Sequence, residues 1–281
     1  MPVAVVTDSQ SCLPGEWRRE LGITVLPYVM EMDGHLLRDG VDIDADEFYR
    51  RLPLLKRPPT TSAITPAAFL GAFEELKGRC DGILVVTISS RFSSTFDNAR
   101  LAAGEWDGAP VEVVDSRTAA AACGMVARRA AERAANGGSL AACRQAAEEA
   151  AEKVELLACV DGLEQLRRSG RVSALRSMAA GALSIKPVLR IQEGEARLEA
   201  RRRSVREALG LIASRVEEAY RRDGLLLLSV FHAASPGAAA QLEEMLERRG
   251  VEAEESVPTR FTPMMGSHTG PGITGAAFLP A

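Results

Sequence analysis

The stretch GILVVTISSRFSSTFDNA, residues 82–99, holds the local pattern that decides the fold. Its first seven residues are mostly aliphatic and predict a buried strand, because a strand covered on both faces shows no polar alternation. A helix pattern begins near residue 94, and hydroxyl residues fill the junction. Backbone N–H groups and the positive end of the helix dipole meet at such a junction, which favours an anion. The stretch therefore predicts a strand–loop–helix unit whose loop binds an anionic group, with Ser93 among the donors.

The same alternation continues on both sides of this unit. Further buried strands are predicted at 3–8, 23–30, 111–115 and 156–161, and helices at 66–78, 94–104, 117–136 and 139–153. After residue 160 we predict a basic helical segment, two strands joined through Glu193 and Gly194, a helix at 204–222, a strand at 225–232, a helix at 236–249 and a short strand at 251–257. Such alternation is typical of a mostly parallel sheet covered by helices. We predict an α/β fold with two lobes, residues 1–160 with the mostly parallel sheet and residues 161–281 as a second α/β lobe.

Composition excludes several classes of protein. The net charge is -4, so no global positive field favours nucleic acid as a partner. The five cysteines are scattered and form no C-x-x-C, which predicts a reducing compartment without disulfides or a zinc site. Neither a signal peptide nor a long apolar run is present, and we expect a cytoplasmic protein. No metal or nucleotide motif appears, so we predict no metal and no cofactor.

Polar residues end four of the predicted strands, in the groups Thr7–Ser9, Thr87–Ser90, Asp115–Ser116 and Asp161–Gly162. Ligands of open parallel sheets bind outside the carboxyl ends of the strands, so these groups are candidates to line one crevice. The alternative is that they cap the helices that follow.

A second hydroxyl cluster lies in PPTTSAITP, residues 58–66. The prolines favour an extended or turning backbone, which leaves Thr60, Thr61 and Ser62 as hydrogen-bond donors in a loop. The alternative is a plain connecting loop in which Thr65 caps the helix that Pro66 begins.

Of the three histidines, His268 stands in the most unusual setting, the stretch MMGSHTGPGITG at 264–275. The segment 270–275 reads G-x-G-x-x-G, but only six residues follow it, so we predict no dinucleotide-binding βαβ unit. We expect a flexible loop in which the glycines adopt positive φ and approach a ligand closely. His268 is then either a structural residue or a ligand-binding one.

Eight motifs occur in the order found in the DegV family. They are TDS at 7–9, PTTS at 59–62, ISSxxSxT at 88–95, VDS at 114–116, SGRVS at 169–173, IKP at 185–187 with Gly194, Arg203-Ser204, and HTGPG at 268–272. The resemblance covers residues 3 to about 279. The chain departs from the family pattern where Ser94 replaces glycine, where Ser204 replaces threonine, and where Ala63 and Ile64 replace glutamine and proline.

The resemblance to DegV proteins implies two α/β lobes with a long-chain fatty acid between them. Its carboxylate would be met by Thr61 or Ser62, by Ser93 and by His268. It also implies a non-catalytic subunit, in transient contact with a membrane surface, that presents the carboxylate to a separate fatty acid kinase, which makes acyl phosphate from ATP. Arg171 and Arg203 match motif positions and would serve kinase docking or phosphoryl transfer.

Three alternatives stay open at this point. The protein could be a lipid-binding sensor without a kinase partner, or a stand-alone hydrolase that uses a serine with His268. The arginine clusters around Arg171 and Arg203 could be an ordinary solvated basic face. The sequence leaves undecided the acyl chain length and saturation, the oligomeric state, the identity of the kinase, and the choice between Thr61 and Ser62.

Overall fold

The computed structural model of the chain describes residues 2–161, 163–172 and 185–281. These residues form fourteen strands: β1 Val3–Asp8, β2 Thr24–Leu26, β3 Val29–Met32, β4 His35–Arg38, β5 Thr60–Ser62, β6 Gly82–Thr87, β7 Val111–Asp115, β8 Glu155–Val160, β9 Lys186–Gln192, β10 Glu195–Arg202, β11 Leu226–His232, β12 Ala253–Ser256, β13 Thr259–Arg260 and β14 Ile273–Pro280. They also form ten α-helices: α1 Gly15–Glu20, α2 Ala45–Arg51, α3 Pro66–Leu76, α4 Thr95–Glu105, α5 Ala120–Ala135, α6 Leu140–Lys153, α7 Leu163–Ser169, α8 Val205–Asp223, α9 Pro236–Arg248 and α10 Pro263–Thr269.

Four parallel strands form the first sheet, in the order β2-β1-β6-β7. The predicted strands at 3–8, 82–88 and 111–115 are confirmed as β1, β6 and β7. The predicted single strand at 23–30 is wrong. Pro27 has no N–H to donate to a sheet, and the chain leaves the first sheet after Leu26 and begins β3 at Val29.

A small antiparallel sheet in the order β4-β3-β5 lies beside the first lobe and was not predicted. Its inner face buries Met30 and Met32 against Ile43 and against Phe48 of α2. The strand β5 consists of Thr60, Thr61 and Ser62, so the predicted hydroxyl loop is in fact an edge strand.

The second sheet has the order β10-β9-β8-β14-β11-β12, with β13 beside β11. The strand β8 matches the prediction at 156–161, but its antiparallel partners are β9 and β14, which places it in the second sheet. A buried apolar strand fits the centre of either sheet equally well, so its sequence could not reveal its partners. The hairpin through Glu193 and Gly194 is confirmed. The lobe division at residue 160 stays a prediction.

Helix α5 lies between the two sheets and belongs to a core that holds residues of both, such as Leu84 of β6 and Ala277 of β14. Eight of its residues are alanines, and most are buried. Small side chains suit this place, because they let backbones on two faces of the helix approach closely. On the far sides, α3 and α4 cover the first sheet and α8 and α9 cover the second.

The end of the chain differs from its prediction as a flexible loop. Residues 263–269 form helix α10, whose N-cap Thr262 accepts from the N–H of Met265, and residues 273–280 form β14 in the middle of the second sheet. The expected positive φ angles are present at Gly270 and Gly272, at 69° and 91°. These glycines turn the chain from α10 into β14.

Two residues of the predicted motifs, Gly162 and Ser173, lie outside the described residues, as does Arg176 of the arginine cluster around Arg171. Within the parts of the chain that are described, no helix is both long and apolar enough to cross a bilayer.

Candidate functional site

A cavity of about 200 Å³ lies between the two lobes. Its walls come from the loop after β6, the start of α5, the inner face of the second sheet, and helices α7 and α10. Most of its lining is apolar, including Ile88, Phe92, Leu156, Leu189, Ile191 and Phe261. A cavity of this kind suits a ligand that is largely hydrocarbon with a few polar atoms.

Thr61 and His268 form one polar side of the cavity. The Thr61 Oγ1 atom lies 2.8 Å from His268 Nε2, although 207 positions separate the residues in the sequence. Ser62, the other predicted candidate, is exposed and does not line the cavity. Neighbouring side chains of a strand point to opposite faces, so β5 can direct only one of the two inward. The structure therefore places Thr61, and not Ser62, at the cavity.

Burial, together with the smaller effect of the nearby positive charge of Arg171, lowers the pKa of the His268 imidazole to about 4. The ring is therefore neutral at pH 7. A neutral imidazole donates from one nitrogen and accepts at the other. With Thr61 as its partner, it can orient a ligand oxygen by hydrogen bonding without forming an ion pair.

Ser93 lies at the second polar part of the lining, together with Tyr28, which the sequence did not predict as a site residue. Thr95, the last residue of the ISSxxSxT motif, is buried beside them. The Ser93 hydroxyl group is 2.9 Å from Thr95 Oγ1 and 3.4 Å from the Tyr28 hydroxyl. The Tyr28 hydroxyl is also 2.7 Å from Thr95 Oγ1. The backbone N–H groups of Thr95 and Ile64 donate to Ser93 Oγ and Thr95 Oγ1, respectively. The Ser93 hydroxyl can therefore direct its proton either to Thr95 Oγ1 or to a ligand oxygen.

The two arginines that match family motifs occupy different places. Arg171 lines the cavity, is exposed on its outer side, and donates from Nη1 to the carbonyl oxygen of Phe92 at 2.5 Å. This bond joins the second lobe to the residue before Ser93. Arg203 is exposed between β10 and α8, where its backbone N–H donates to Glu207, and it does not line the cavity.

The predicted polar strand ends do not all meet in one crevice. Asp8 accepts from the N–H of Ile88, and Asp115 accepts from the N–H groups of Ser90 and Arg117, so both carboxylates fix loops at the edge of the first sheet. Asp161 directly follows β8 in the second sheet and contacts the ammonium group of Lys186. Thr65 caps α3, as the alternative for its loop predicted.

Among the described residues, no group of three or more His, Cys, Asp or Glu side chains is arranged to hold a metal ion. The polar side chains that line the cavity carry hydroxyl groups, one imidazole and one guanidinium. Together they do not resemble the ligand set of a metal site.

Sequence comparison decides the family. The family model described as "Uncharacterised protein, DegV family" matches residues 2–281. The chain belongs to the DegV family. A DegV domain-containing protein of Mycobacterium tuberculosis is 35% identical over 277 residues, which cover 98% of this chain and 96% of that protein. One from Streptomyces coelicolor is 34% identical over 276 residues, 97% of this chain and 96% of the relative.

Solved structures of DegV proteins share the whole architecture. A DegV family protein from Thermus thermophilus, described as binding fatty acid, is 30% identical, covers 100% of both chains and superimposes with a TM-score of 0.93. DegV from Bacillus subtilis, described as a fatty acid binding protein, is 28% identical over 100% of both chains with a TM-score of 0.90. These matches confirm the predicted two-lobed α/β fold of the DegV type.

Proposed function

We propose that this DegV protein binds a long-chain fatty acid in the cavity between its lobes and presents the carboxylate to a separate ATP-dependent fatty acid kinase. The observation that supports it best is the composition of the cavity, a mostly apolar space to which Thr61, Ser93 and His268 contribute hydrogen-bonding groups near Arg171. The similar proteins from Thermus thermophilus and Bacillus subtilis are described as fatty acid binding.

Tail and head group contribute differently to such binding. Burial of ~15 methylene groups is worth about 12 kcal/mol before the costs of association are subtracted. The tail therefore supplies most of the affinity. Donors at the head group each add about 1.5–3 kcal/mol when the acceptor is charged, and they decide which end of the ligand faces Ser93.

The kinase part of the proposal rests on Arg171 and Arg203. Guanidinium groups bind phosphate oxygens in a bidentate fork, and both ATP and acyl phosphate are anionic. Arg171 reaches both the cavity and the outer surface, and Arg203 is exposed. An exposed position suits a group that meets a partner, and a position at the cavity suits one that meets the transferred phosphoryl group.

The hydrolase alternative needs a base beside the nucleophile. In the described part of the structure, His268 is hydrogen-bonded to Thr61, while Ser93 is hydrogen-bonded to Thr95 and Tyr28. This arrangement favours a binding site over a catalytic serine. A sensor that binds the same lipid without a kinase differs only in its partner, so the kinase assay below separates it from the proposal.

Co-purification tests the binding step. We expect native mass spectrometry of the protein to show one added long-chain fatty acid, because a buried apolar tail exchanges slowly with solvent. Extraction of the lipid then identifies its length and saturation. Protein that is empty, and that also takes up no added hexadecanoic or octadecenoic acid, would contradict the binding proposal.

Substitution of the two arginines tests the presentation step. Arg171→Ala and Arg203→Ala proteins should keep bound fatty acid, because the tail dominates affinity, but acyl phosphate formation with the cognate kinase should fall at least about tenfold. Arg167→Ala and Arg206→Ala are matched controls, since both side chains are exposed and lie outside the cavity lining. Normal turnover in both test variants would assign these arginines to the solvated surface.

A further inference from the structure

The carboxylate of Asp39 lies between the elements that carry the two polar parts of the cavity lining. Asp39 follows β4 and is only 2% exposed. Its Oδ1 atom accepts from the N–H of Met264 in the first turn of α10 at 3.1 Å, and its Oδ2 atom accepts from Ser9 Oγ at 2.5 Å. It belongs neither to the cavity lining nor to the residues that the sequence singled out.

One branch of this network leads to His268. Helix α10 has seven residues, and its own N-cap, Thr262, accepts from the N–H of Met265 at the long distance of 3.5 Å. The bond from Met264 to Asp39 is shorter and ends on a carboxylate, which also interacts favourably with the positive end of the helix. Met264 and His268 are four residues apart, so they lie one turn apart on the same side of α10. Fixing the first turn therefore fixes the imidazole.

The other branch leads to Ser93. Ser9 Oγ donates to Asp39 and accepts from the backbone N–H of Tyr28 at 3.1 Å, while the backbone N–H of Asp39 donates to the Tyr28 carbonyl at 2.8 Å. These bonds hold the backbone of Tyr28 from both sides. The Tyr28 hydroxyl in turn contacts Thr95 and Ser93.

We propose that Asp39 is a positioning residue that sets the spacing between Ser93 and His268, and so the geometry in which a ligand carboxylate is held. The carboxylate of Asp39 never touches the ligand; it acts through α10 and through Tyr28. This inference rests on the proposed fatty acid function for its ligand, but the position of His268 can be measured without any ligand.

The test uses Asp39→Ala, which removes both acceptor atoms and leaves Met264 N–H and Ser9 O–H without this partner. We expect a loosened first turn of α10 to admit water to His268. Its imidazole pKa, about 4 in the wild type, should then rise by about one unit towards the ordinary value of 6.5. Affinity for hexadecanoic acid should fall about tenfold.

The imidazole pKa is read by NMR of ligand-free full-length protein, in which only three histidines give signals. Asp44→Ala is the matched control, since Asp44 caps α2 through the same kind of bond, from the N–H of Glu47 at 2.8 Å. It should lower stability without moving the His268 signal. Ser9→Ala breaks only the Tyr28 branch, so it should weaken hexadecanoic acid binding and leave the His268 pKa unchanged.

The outcomes separate the two proposals. If Asp39→Ala protein, still folded by circular dichroism, keeps the wild-type His268 pKa and the wild-type affinity, Asp39 is not a positioning residue. A wild-type protein that binds no fatty acid would refute the proposed function alone, because the imidazole measurement would still report on Asp39. A merely structural role would lower the unfolding temperature and leave the folded-state signal of His268 in place.

Discussion

Asp8 ends β1 with a carboxyl group that is only 1% exposed. Burial raises its pKa to about 7, and the hydrogen bond from the N–H of Ile88 only partly offsets that rise. An acid whose pKa is higher in the folded than in the unfolded chain binds more protons when folded. Its stabilising contribution is therefore fully present below pH 3.8 and is lost as the pH rises through about 7.

Asp8→Asn should show this loss directly, because the amide does not titrate. We expect the free energy of unfolding of the variant, relative to the wild type, to increase between pH 5 and pH 8. The increase should be on the order of 1.4 kcal/mol for each pH unit up to about 7. Urea unfolding at both values measures the difference, and any constant cost of the substitution cancels in the comparison. An equal difference at pH 5 and pH 8 would show that the Asp8 carboxyl group does not titrate in this range.

The residues of the site divide into those that a motif reveals and those that packing reveals. Thr61, Ser93, His268 and Arg171 occupy family motif positions, and all four line the cavity. Tyr28 follows Pro27 in what reads as an ordinary apolar strand, and its partner Thr95 lies 67 positions away. Nothing in a local pattern specifies a hydrogen bond across that separation. The same holds for Asp39, whose role depends on where α10 packs.

At the scale of elements, two hairpin turns offer a matched comparison. Glu193 and Gly194 join β9 to β10 with φ angles of 51° and 81°, and Asp33 and Gly34 join β3 to β4 with 52° and 80°. Two-residue turns with both φ angles positive suit the twist of a hairpin. The turns differ in their surroundings. A Cβ atom at Gly194 would lie 2.7 Å from Ser89 Oγ, whereas one at Gly34 would meet nothing within 4 Å.

Gly194→Ala should therefore cost more than Gly34→Ala. Both variants lose about 1 kcal/mol because alanine disfavours positive φ. Gly194→Ala should lose a further ~1–3 kcal/mol, because the new methyl group displaces the buried Ser89 hydroxyl from the Gly194 carbonyl that it donates to at 2.8 Å. Urea unfolding of both proteins gives the two costs. Equal costs would mean that the hairpin does not depend on its contact with the first lobe.

The helices and strands show how much of the secondary structure can be predicted from local sequence. Helices α3 to α6, α8 and α9 lie within about three residues of their predicted bounds, because each has a long amphipathic or alanine-rich pattern. The misplaced elements depend on distant partners. The strand β8 pairs with β14, more than a hundred residues away. The glycine-rich end forms a helix and a strand where Asp39 accepts a hydrogen bond from α10, Asp161 packs against Gly272 and β8 pairs with β14. Such long-range packing leaves no periodic pattern in the sequence.

At the scale of the whole molecule, the two sheets share one core. Helix α5 packs its alanines against both, and Glu255 of β12 binds Trp17 of α1 and Arg128 of α5. Separation of the lobes would expose α5 and break these bonds. We therefore propose that the division near residue 160 separates two lobes of one cooperative folding unit. Without the second lobe, one face of helix α5 would lose its packing partners.

Leu242→Ala tests this cooperativity from the far side of the second lobe. Leu242 of α9 is fully buried in the core behind the second sheet, and its truncation should cost about 2–5 kcal/mol. Trp106 packs against Phe73 in the first lobe and reports on that lobe, and a Trp17→Phe background leaves it as the only tryptophan of the chain. In a single cooperative unit, Trp106 fluorescence and far-ultraviolet circular dichroism should shift to the same lower urea midpoint. If Trp106 keeps its original midpoint while the circular dichroism trace becomes biphasic, the lobes fold independently and α5 is stable on one sheet alone.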